Sequence, residues 1–423
     1  MRPFKPENAM SAHPSAPLPS STPLNRRQFL AGAGAGATAL GFGVLSPQLV
    51  RGADADAKIK LGLIGCGGRG TWILDYFKKH GGFDVVACAD YFQDKADAAG
   101  AKHGIPEAMR FSGLYGYRRM LDKVDAVAIQ SPPFFHPMQA ADAVAAGKHV
   151  YLAKPAAVDV PGCLSIAESG RQATANRRAF LVDFQTRAQP AYIEAVKRVH
   201  AGAIGKLVSG ESTYQCSLYF QGMDDEYRKN IGNPEARIRA WAVDRVLSGD
   251  VITEQNIHSL DVCTWILDAA PVRAFGTGGR ARPFAGDCWD HFAVVFWFPN
   301  DVLISFSSKQ VGRHWDDIQC RIYGTEGTID THYGGAVVVH CDDKYNGGQT
   351  SRIYAEGVEN NVKAFHAGIA QGDFSNPTVA PSVRSNLTTI LGRTAAYAKS
   401  EVTWADMMRQ AEAWEFPLDA LKA

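Results

Sequence analysis

A chain of 423 residues with 46% hydrophobic content has room for two or three domains with buried cores. Its 44 Lys and Arg nearly balance 43 Asp and Glu, leaving a net charge of +1 and no basic run, which removes the electrostatic case for a nucleic-acid partner. Eight cysteines, at 66, 88, 163, 216, 263, 288, 320 and 341, contain no Cys-x-x-Cys pair, so neither a zinc ribbon nor a thioredoxin-like centre is expected and mostly free thiols are.

Residues 1–57 differ from the rest. Met1 to Leu24 is rich in Pro, Ser and Ala with no period; Asn25-Arg26-Arg27-Gln28-Phe29-Leu30 then leads into an Ala/Gly-rich apolar stretch to Leu49, and Ala53-Asp54-Ala55 fits a small-x-small cleavage site. A charged segment, an apolar segment and such a site describe a secretory signal, and the paired arginines are of the twin-arginine type. The twin-arginine export machinery is therefore an expected partner and a periplasmic or otherwise exported location is expected. The glycines make the run a poor membrane span.

The fold begins at residue 58. The run Lys58-Ile59-Lys60-Leu61-Gly62-Leu63-Ile64 ends in Gly65-Cys66-Gly67-Gly68-Arg69-Gly70, a G-x-G-x-x-G sequence, and residues 71–79 have helical spacing. Strand, glycine turn and helix in that order predict a dinucleotide-binding loop. The first glycine makes the turn, the second lets a pyrophosphate approach the backbone, and the third lets helix and strand pack closely. A second apolar run, 84–90, ends in Asp90, placed to accept hydrogen bonds from a ribose. An acid there, followed by Tyr91 and no basic residue, predicts NAD rather than NADP.

Strands are read at 58–64, 84–90, 125–130, 149–152 and 179–183, with helices near 69–79, 92–103, 114–121, 137–146 and 161–176. Such alternation predicts a doubly wound parallel sheet covered on both faces. Ligands in these sheets sit outside the carboxyl ends of the strands. Ser131, Pro132 and His136 follow one such end and Lys154 follows another, which puts all four near the dinucleotide.

The glycine loop, Asp90, the Ser131-Pro132 turn, Ala140 to Gly147 before a strand, and Lys154-Pro155 together resemble the glucose–fructose oxidoreductase / inositol dehydrogenase / rhizopine catabolism family (Gfo/Idh/MocA). The family's usual motif is Glu-Lys-Pro; here Ala153 stands where the Glu would be. Asp183-Phe184-Gln185-Thr186-Arg187 resembles the family's junction motif, which implies that Arg187 lies near cofactor or substrate. The resemblance implies a Rossmann domain over 58–184 and a substrate and oligomerisation domain over 185–423, the latter α+β.

In that second half a helix is expected from 190 to 201 and a strand at 206–215. Residues 221–247 are polar and read as an insertion or pocket-lining loop. Residues 253–267 fit one helix, which sets Glu254 and His258 at i and i+4 on one face. A carboxylate so placed orients a histidine, the usual general base near neutral pH; the family has Asp-x-x-x-His here, and Glu254 is longer by one methylene. Glu254, His258, Asp290 and His291 could converge in principle, but one i, i+4 pair supplies two ligands where a catalytic zinc needs three and a water, so no metal is assigned. Strands at 272–281, 290–298, 301–310, 316–324 and 327–340 predict a large, mostly antiparallel open sheet, and helices near 360–371 and 383–399 close the domain.

The combined expectation is an enzyme of the NAD-dependent CH–OH oxidoreductase type acting on a sugar, polyol or glycoside. His258 takes the hydroxyl proton, Glu254 orients His258 and Lys154 hydrogen-bonds the same oxygen. Arg187 clamps a cofactor that is recycled in place, since an exported protein meets no free NAD pool. Tyr214, Trp241 and Trp289 suit apolar sugar faces. A glycoside hydrolase, lyase or epimerase working by oxidation, elimination and reduction uses the same residues. A non-catalytic sugar-binding protein would not need to retain Lys154 and His258. A homodimer or homotetramer through the C-terminal sheet is expected.

Overall fold

The computed structural model describes residues 58–217, 220–281, 286–313 and 315–423. The expected export signal lies outside the described residues.

The first half runs β1 (Ile59–Ile64), α1 (Gly68–His80), β2 (Phe83–Asp90), α2 (Gln93–His103), β3 (Arg110–Ser112), a 3-10 segment (Gly116–Lys123), β4 (Ala126–Ile129), α3 (His136–Ala145), β5 (His149–Ala153), α4 (Val160–Ala175) and β6 (Phe180–Asp183). The strands pair in parallel in the order β3-β2-β1-β4-β5-β6. The order reverses between β1 and β4, which opens a crevice at their carboxyl ends, the usual ligand position in such sheets. All four residues of β4 are buried, as a strand covered on both faces requires. Two elements differ from expectation. Edge strand β3 is too short to show alternation. The segment expected as an α-helix at 114–121 is 3-10, because Tyr117 and Met120 at a spacing of three suit either helix type.

The second half continues with α5 (Pro190–His200), β7 (Leu207–Gln215), α6 (Gln221–Lys229), α7 (Pro234–Arg239), α8 (Arg245–Ser248), α9 (Val251–Glu254) and α10 (Ile257–Leu267). It then gives β8 (Arg273–Gly279), β9 (His291–Trp297), β10 (Leu303–Lys309), β11 (Asp317–Gly324), β12 (Thr328–His332), β13 (Ala336–His340), β14 (Tyr345–Gln349), α11 (Ile353–Gln371), α12 (Val379–Ala398), β15 (Val402–Thr403) and α13 (Trp404–Gln410). Nine strands order as β14-β13-β12-β11-β7-β10-β9-β8-β15. Every pair is antiparallel except β7 with β10, so the sheet is mixed but mostly antiparallel. Alternate residues such as Phe292, Val294, Phe296, Ile304, Phe306 and Ile322 are buried on one face, while Phe275, Leu303 and Tyr323 are exposed.

The expected strand at 327–340 is a hairpin, broken at Tyr333 to Gly335, and the polar stretch 221–247 folds into three short α-helices and a 3-10 turn, Trp241–Val243, rather than a loop. Polar composition masked these helices, whose caps are local: Asn233 Oδ1 accepts from Glu235 N at 2.9 Å and Asp244 Oδ1 from Leu247 N at 3.1 Å.

Helix α12 ties the two sheets together. Asn386 Oδ1 accepts from Ala157 N at 3.1 Å, and buried Arg393 donates to the carbonyls of Val158 (2.9 Å) and Gly249 (2.8 Å). The last residues also return to the first half, where Lys422 O accepts from Leu114 N at 2.9 Å. The described residues accordingly form one unit.

Candidate active site

The glycine loop shows three different demands on glycine. Gly65 has φ +93°, and a Cβ there would lie 2.5 Å from Ser131 N, so the chain leaving strand β4 passes directly behind the turn. A Cβ on Gly70 would fall inside the van der Waals envelope of the Gly65 carbonyl oxygen. A Cβ on Gly67 would meet nothing within 4 Å, because that position faces an open cleft. Gly67 caps α1 without a side-chain acceptor, and no acidic residue stands in the first turn. First-turn N–H groups without such a cap, aimed at open space, suit an anionic ligand.

At the end of β2, Asp90 Oδ2 accepts from Cys66 N at 2.7 Å and Oδ1 from Phe92 N at 3.0 Å. Burial pushes the Asp90 carboxyl above its ordinary value, and these two bonds oppose the shift. Each oxygen keeps acceptor capacity for a ribose hydroxyl. Asp90 lines a pocket with Ile64, Gly65, Tyr91, Leu114 and Ser131, and Pro132 lies on the same wall.

Beside this pocket opens a cleft of about 720 Å³ shared by both halves. From the first half it is lined by Gly67, Gly68, Arg69, Gln130, Ser131, Ala153, Lys154, Asp183 and Gln185. From the second half come Tyr214, Phe220, Trp241, Glu254, Gln255, His258, Tyr333 and Tyr354. Lys154 and His258, on separate halves of the chain, thus face one space.

The expected helix over 253–267 is broken. Asp250, at φ +69°, accepts from Val251 N at 2.6 Å, Trp289 N at 3.1 Å and Tyr397 Oη at 2.6 Å, and so starts α9 as a separate turn. At Gln255 the helical register slips: His258 N donates to Gln255 O at 3.2 Å and not to Glu254 O. The freed Glu254 carbonyl accepts from Lys154 Nζ, as does its carboxylate at 3.1 Å. Glu254 and His258 are therefore not the i, i+4 pair of one continuous helix. Glu254 positions Lys154, and does not orient His258. His258 is half-buried, and its buried Nδ1 has no hydrogen-bond partner among the described residues. Burial, reinforced by the charges of Lys154 and Arg69, holds the His258 imidazole well below its ordinary value, hence neutral near pH 7.

Four further expectations are corrected. The charge of Arg69 is already compensated: its guanidinium pairs with Asp183 at 2.5 Å and rests against the rings of Trp72 (4.9 Å) and Tyr354 (4.8 Å), which stack on each other at 4.8 Å, while its Nη1 has no hydrogen-bond partner among the described residues. His136 is buried with both ring nitrogens on carbonyls, Nδ1 2.8 Å from Pro155 O and Nε2 2.8 Å from Ser131 O. It clips the Ser131 turn to the segment after Lys154 and does not face the cleft. Trp289 stacks on Tyr397 at 3.9 Å and lies outside the cleft lining. Arg187 makes a bidentate pair with buried Asp261 (2.9–3.0 Å) and lies 5.1 Å over the Trp265 ring. It is a strut between the segment after β6 and α10, not a cofactor clamp. Removing one partner of a buried pair leaves an uncompensated charge, so Arg187→Ala is expected to cost about 3–5 kcal/mol in denaturant unfolding. NADH dissociation should stay unchanged, and faster release in a folded variant would restore the clamp.

Two family models match the chain: "Oxidoreductase family, NAD-binding Rossmann fold" over residues 59–177 and "GFO/IDH/MocA C-terminal domain" over residues 192–330. The chain belongs to the GFO/IDH/MocA oxidoreductase family. An inositol 2-dehydrogenase of Acidothermus cellulolyticus is 27% identical over 285 residues, covering 65% of this chain and 73% of its own. Among solved structures, an aldose-aldose oxidoreductase from Caulobacter crescentus matches with TM-score 0.66 at 21% identity, covering 82% of this chain and 100% of its own. A levoglucosan dehydrogenase in complex with NADH and levoglucosan matches with TM-score 0.65 at 19% identity, covering 82% and 99%. The structural likenesses establish the fold.

This GFO/IDH/MocA protein is an NAD-dependent oxidoreductase. The residues fit that cofactor: the glycine loop leaves a cradle at Gly67, first-turn N–H groups face it, and Asp90 stands at the end of β2. Several lining residues escaped the sequence reading. Gln130, Asp183 and Gln185 end or follow parallel strands, and the strand-end rule, applied to every strand, would have found them. Tyr333 and Tyr354 carry no sequence signal.

Proposed function

We propose that the protein oxidises a hydroxyl of a neutral sugar or polyol, with Lys154 and His258 as the groups on the reacting oxygen. The observation that carries this reading is their meeting in the cleft onto which the glycine loop opens. The charges lining that cleft, among the described residues, pair off: Arg69 with Asp183 and Lys154 with Glu254. An uncharged substrate suits such a wall, and Tyr214 and Trp241 offer faces for a sugar ring. Relatives named inositol 2-dehydrogenase support a polyol.

NAD, when bound, accepts the hydride leaving the carbinol carbon. Lys154 Nζ has three donors and spends two on Glu254, so one remains for the substrate oxygen. Neutral His258 takes the hydroxyl proton on its unprotonated ring nitrogen. The C–H and O–H bonds break as the carbonyl forms. In the reverse direction His258 returns the proton. A chain exported folded through its twin-arginine signal would carry NAD with it and re-oxidise the cofactor on a second sugar in the same site. The exposed sheet face around Phe275 and Leu303 is the proposed contact with a second copy.

Stopped-flow mixing of NAD-loaded protein with neutral sugars and polyols is expected to show reduction of the bound cofactor. Reduction only by sugar acids would overturn the neutral-substrate reading. Tighter binding of NAD than NADP is also expected, with Asp90→Ala narrowing the gap, because the carboxylate repels a 2′-phosphate. Titration giving equal affinities for the unaltered protein would remove that role of Asp90.

A further inference from the structure

The pocket beneath Asp90 is walled by residues remote in the chain. Its lining includes Tyr91, Gly113 and Leu114 from the first half and Ile238 from α7. The C-terminal end of the chain lies across the first three. Leu114 N donates to Lys422 O at 2.9 Å, and Lys422 N donates to Tyr91 Oη at 3.1 Å. Gly113 has no room for a Cβ, because the Ala423 carbonyl occupies that position. Helix α7 joins the same knot: Glu235 accepts from Tyr91 Oη at 2.8 Å and pairs with Lys422 Nζ at 3.3 Å. Arg239 of α7 pairs with Asp94 at 3.1 Å and lies 3.8 Å over the Phe92 ring. The residues that follow Asp90 are thus gripped by α7 and by the terminal segment at once.

Upstream the segment is anchored. Trp414 N donates to Asp159 Oδ2 at 2.8 Å, and the Trp414 ring lies 3.7 Å from the Arg393 guanidinium. Phe416 is buried against Phe134 and Phe135, with Arg237 over its ring at 4.7 Å. Beyond Phe416 half-buried Leu418 and Leu421 rest on the cluster of Leu114, Phe135 and Ile238, and the remaining ties are hydrogen bonds and an ion pair at or near the surface, a kind of contact that makes and breaks readily. A buried anchor followed by half-buried and surface ties is the construction of a strap.

We infer that residues 415–423 form a clasp over the adenosine side of the NAD site, with α7 as its catch. The clasp governs how fast the dinucleotide leaves. It rests on the NAD assignment and not on the identity of the substrate. It also supplies, from a different part of the chain, the second hold on the cofactor that Arg187 does not provide.

The test is NADH dissociation, followed by fluorescence after chasing bound NADH with excess NAD. In a chain ended at Glu415 the dissociation rate is expected to rise at least about tenfold, with the dissociation constant rising in proportion. Glu235→Lys, at a half-buried position, keeps Phe416 in place and removes the catch; a rise of about threefold is expected. Rates within about twofold of the full chain in both variants overturn the clasp. If the shortened chain loses cooperative unfolding, an unchanged rate in Glu235→Lys alone overturns it. A full-length chain that binds no NADH would instead tell against the cofactor assignment.

Discussion

Replacing Lys154 by Met or His258 by Ala is expected to lower hydride transfer about 10²–10⁴-fold in single turnover while NAD binding stays near that of the unaltered protein. Both groups act on the substrate oxygen from the ends of β5 and α10. The unfolding midpoint of His258→Ala should stay close to the unaltered value, whereas Lys154→Met leaves the Glu254 carboxylate without its cation and should unfold at lower denaturant. A general base must be neutral to act. Burial and two nearby cations lower the His258 pKa, so the acid limb of the kcat/KM profile should fall well below the ordinary histidine range. Lys154→Met removes one of those cations. Its residual activity should therefore show the acid limb moved to higher pH. Glu254→Gln keeps the backbone carbonyl that holds Lys154 but loses the carboxylate, and a smaller loss is expected. Near-normal turnover in Lys154→Met or in His258→Ala would remove that residue from the chemistry.

The glycine loop yields an equally large and more divided result. Gly70→Ala places a methyl against the Gly65 carbonyl, with both partners backbone, so neither can rotate away. Helix α1 must move off β1, and a loss of about 1–3 kcal/mol in stability is expected together with loss of NAD binding. Gly67→Ala adds the same methyl where nothing lies within 4 Å. Its melting temperature should not change, yet its NAD affinity should fall steeply, because the methyl projects into the cleft that the pyrophosphate needs. Calorimetric unfolding of both variants beside NAD titration separates the two cases. A Gly67→Ala protein that binds NAD normally would place the pyrophosphate elsewhere.

Where local sequence carries the physics, the chain could be read directly. The glycine loop is such a case, since turn, cradle and close packing are demands on consecutive backbone positions. So is the alternation of apolar runs with helical segments that makes a parallel sheet, and so is the placement of Ser131 and Lys154 at strand ends. The period of 2 residues also marked β7 to β11 of the second sheet, and the period of 3.6 residues its helices. The same periods could not see the slip at Gln255, because apolar positions on either side of it still fit one helix. That slip alone reassigns Glu254 from His258 to Lys154.

Tertiary structure decided the partners of the charged and polar groups. Arg69 meets Asp183 across 114 positions, Arg187 meets Asp261 across 74, and Lys154 meets Glu254 across 100. Each cation had several carboxylates of equal standing in the sequence. Only chain packing selects one, and a buried charge then takes the nearest compensating group. His136 went the same way: its strand-end position is right, but two carbonyls from separate loops claim its ring. The terminal segment left no mark at all, for residues 411–423 have no period, and their role comes from lying where Tyr91 and Leu114 bring the first half to meet them.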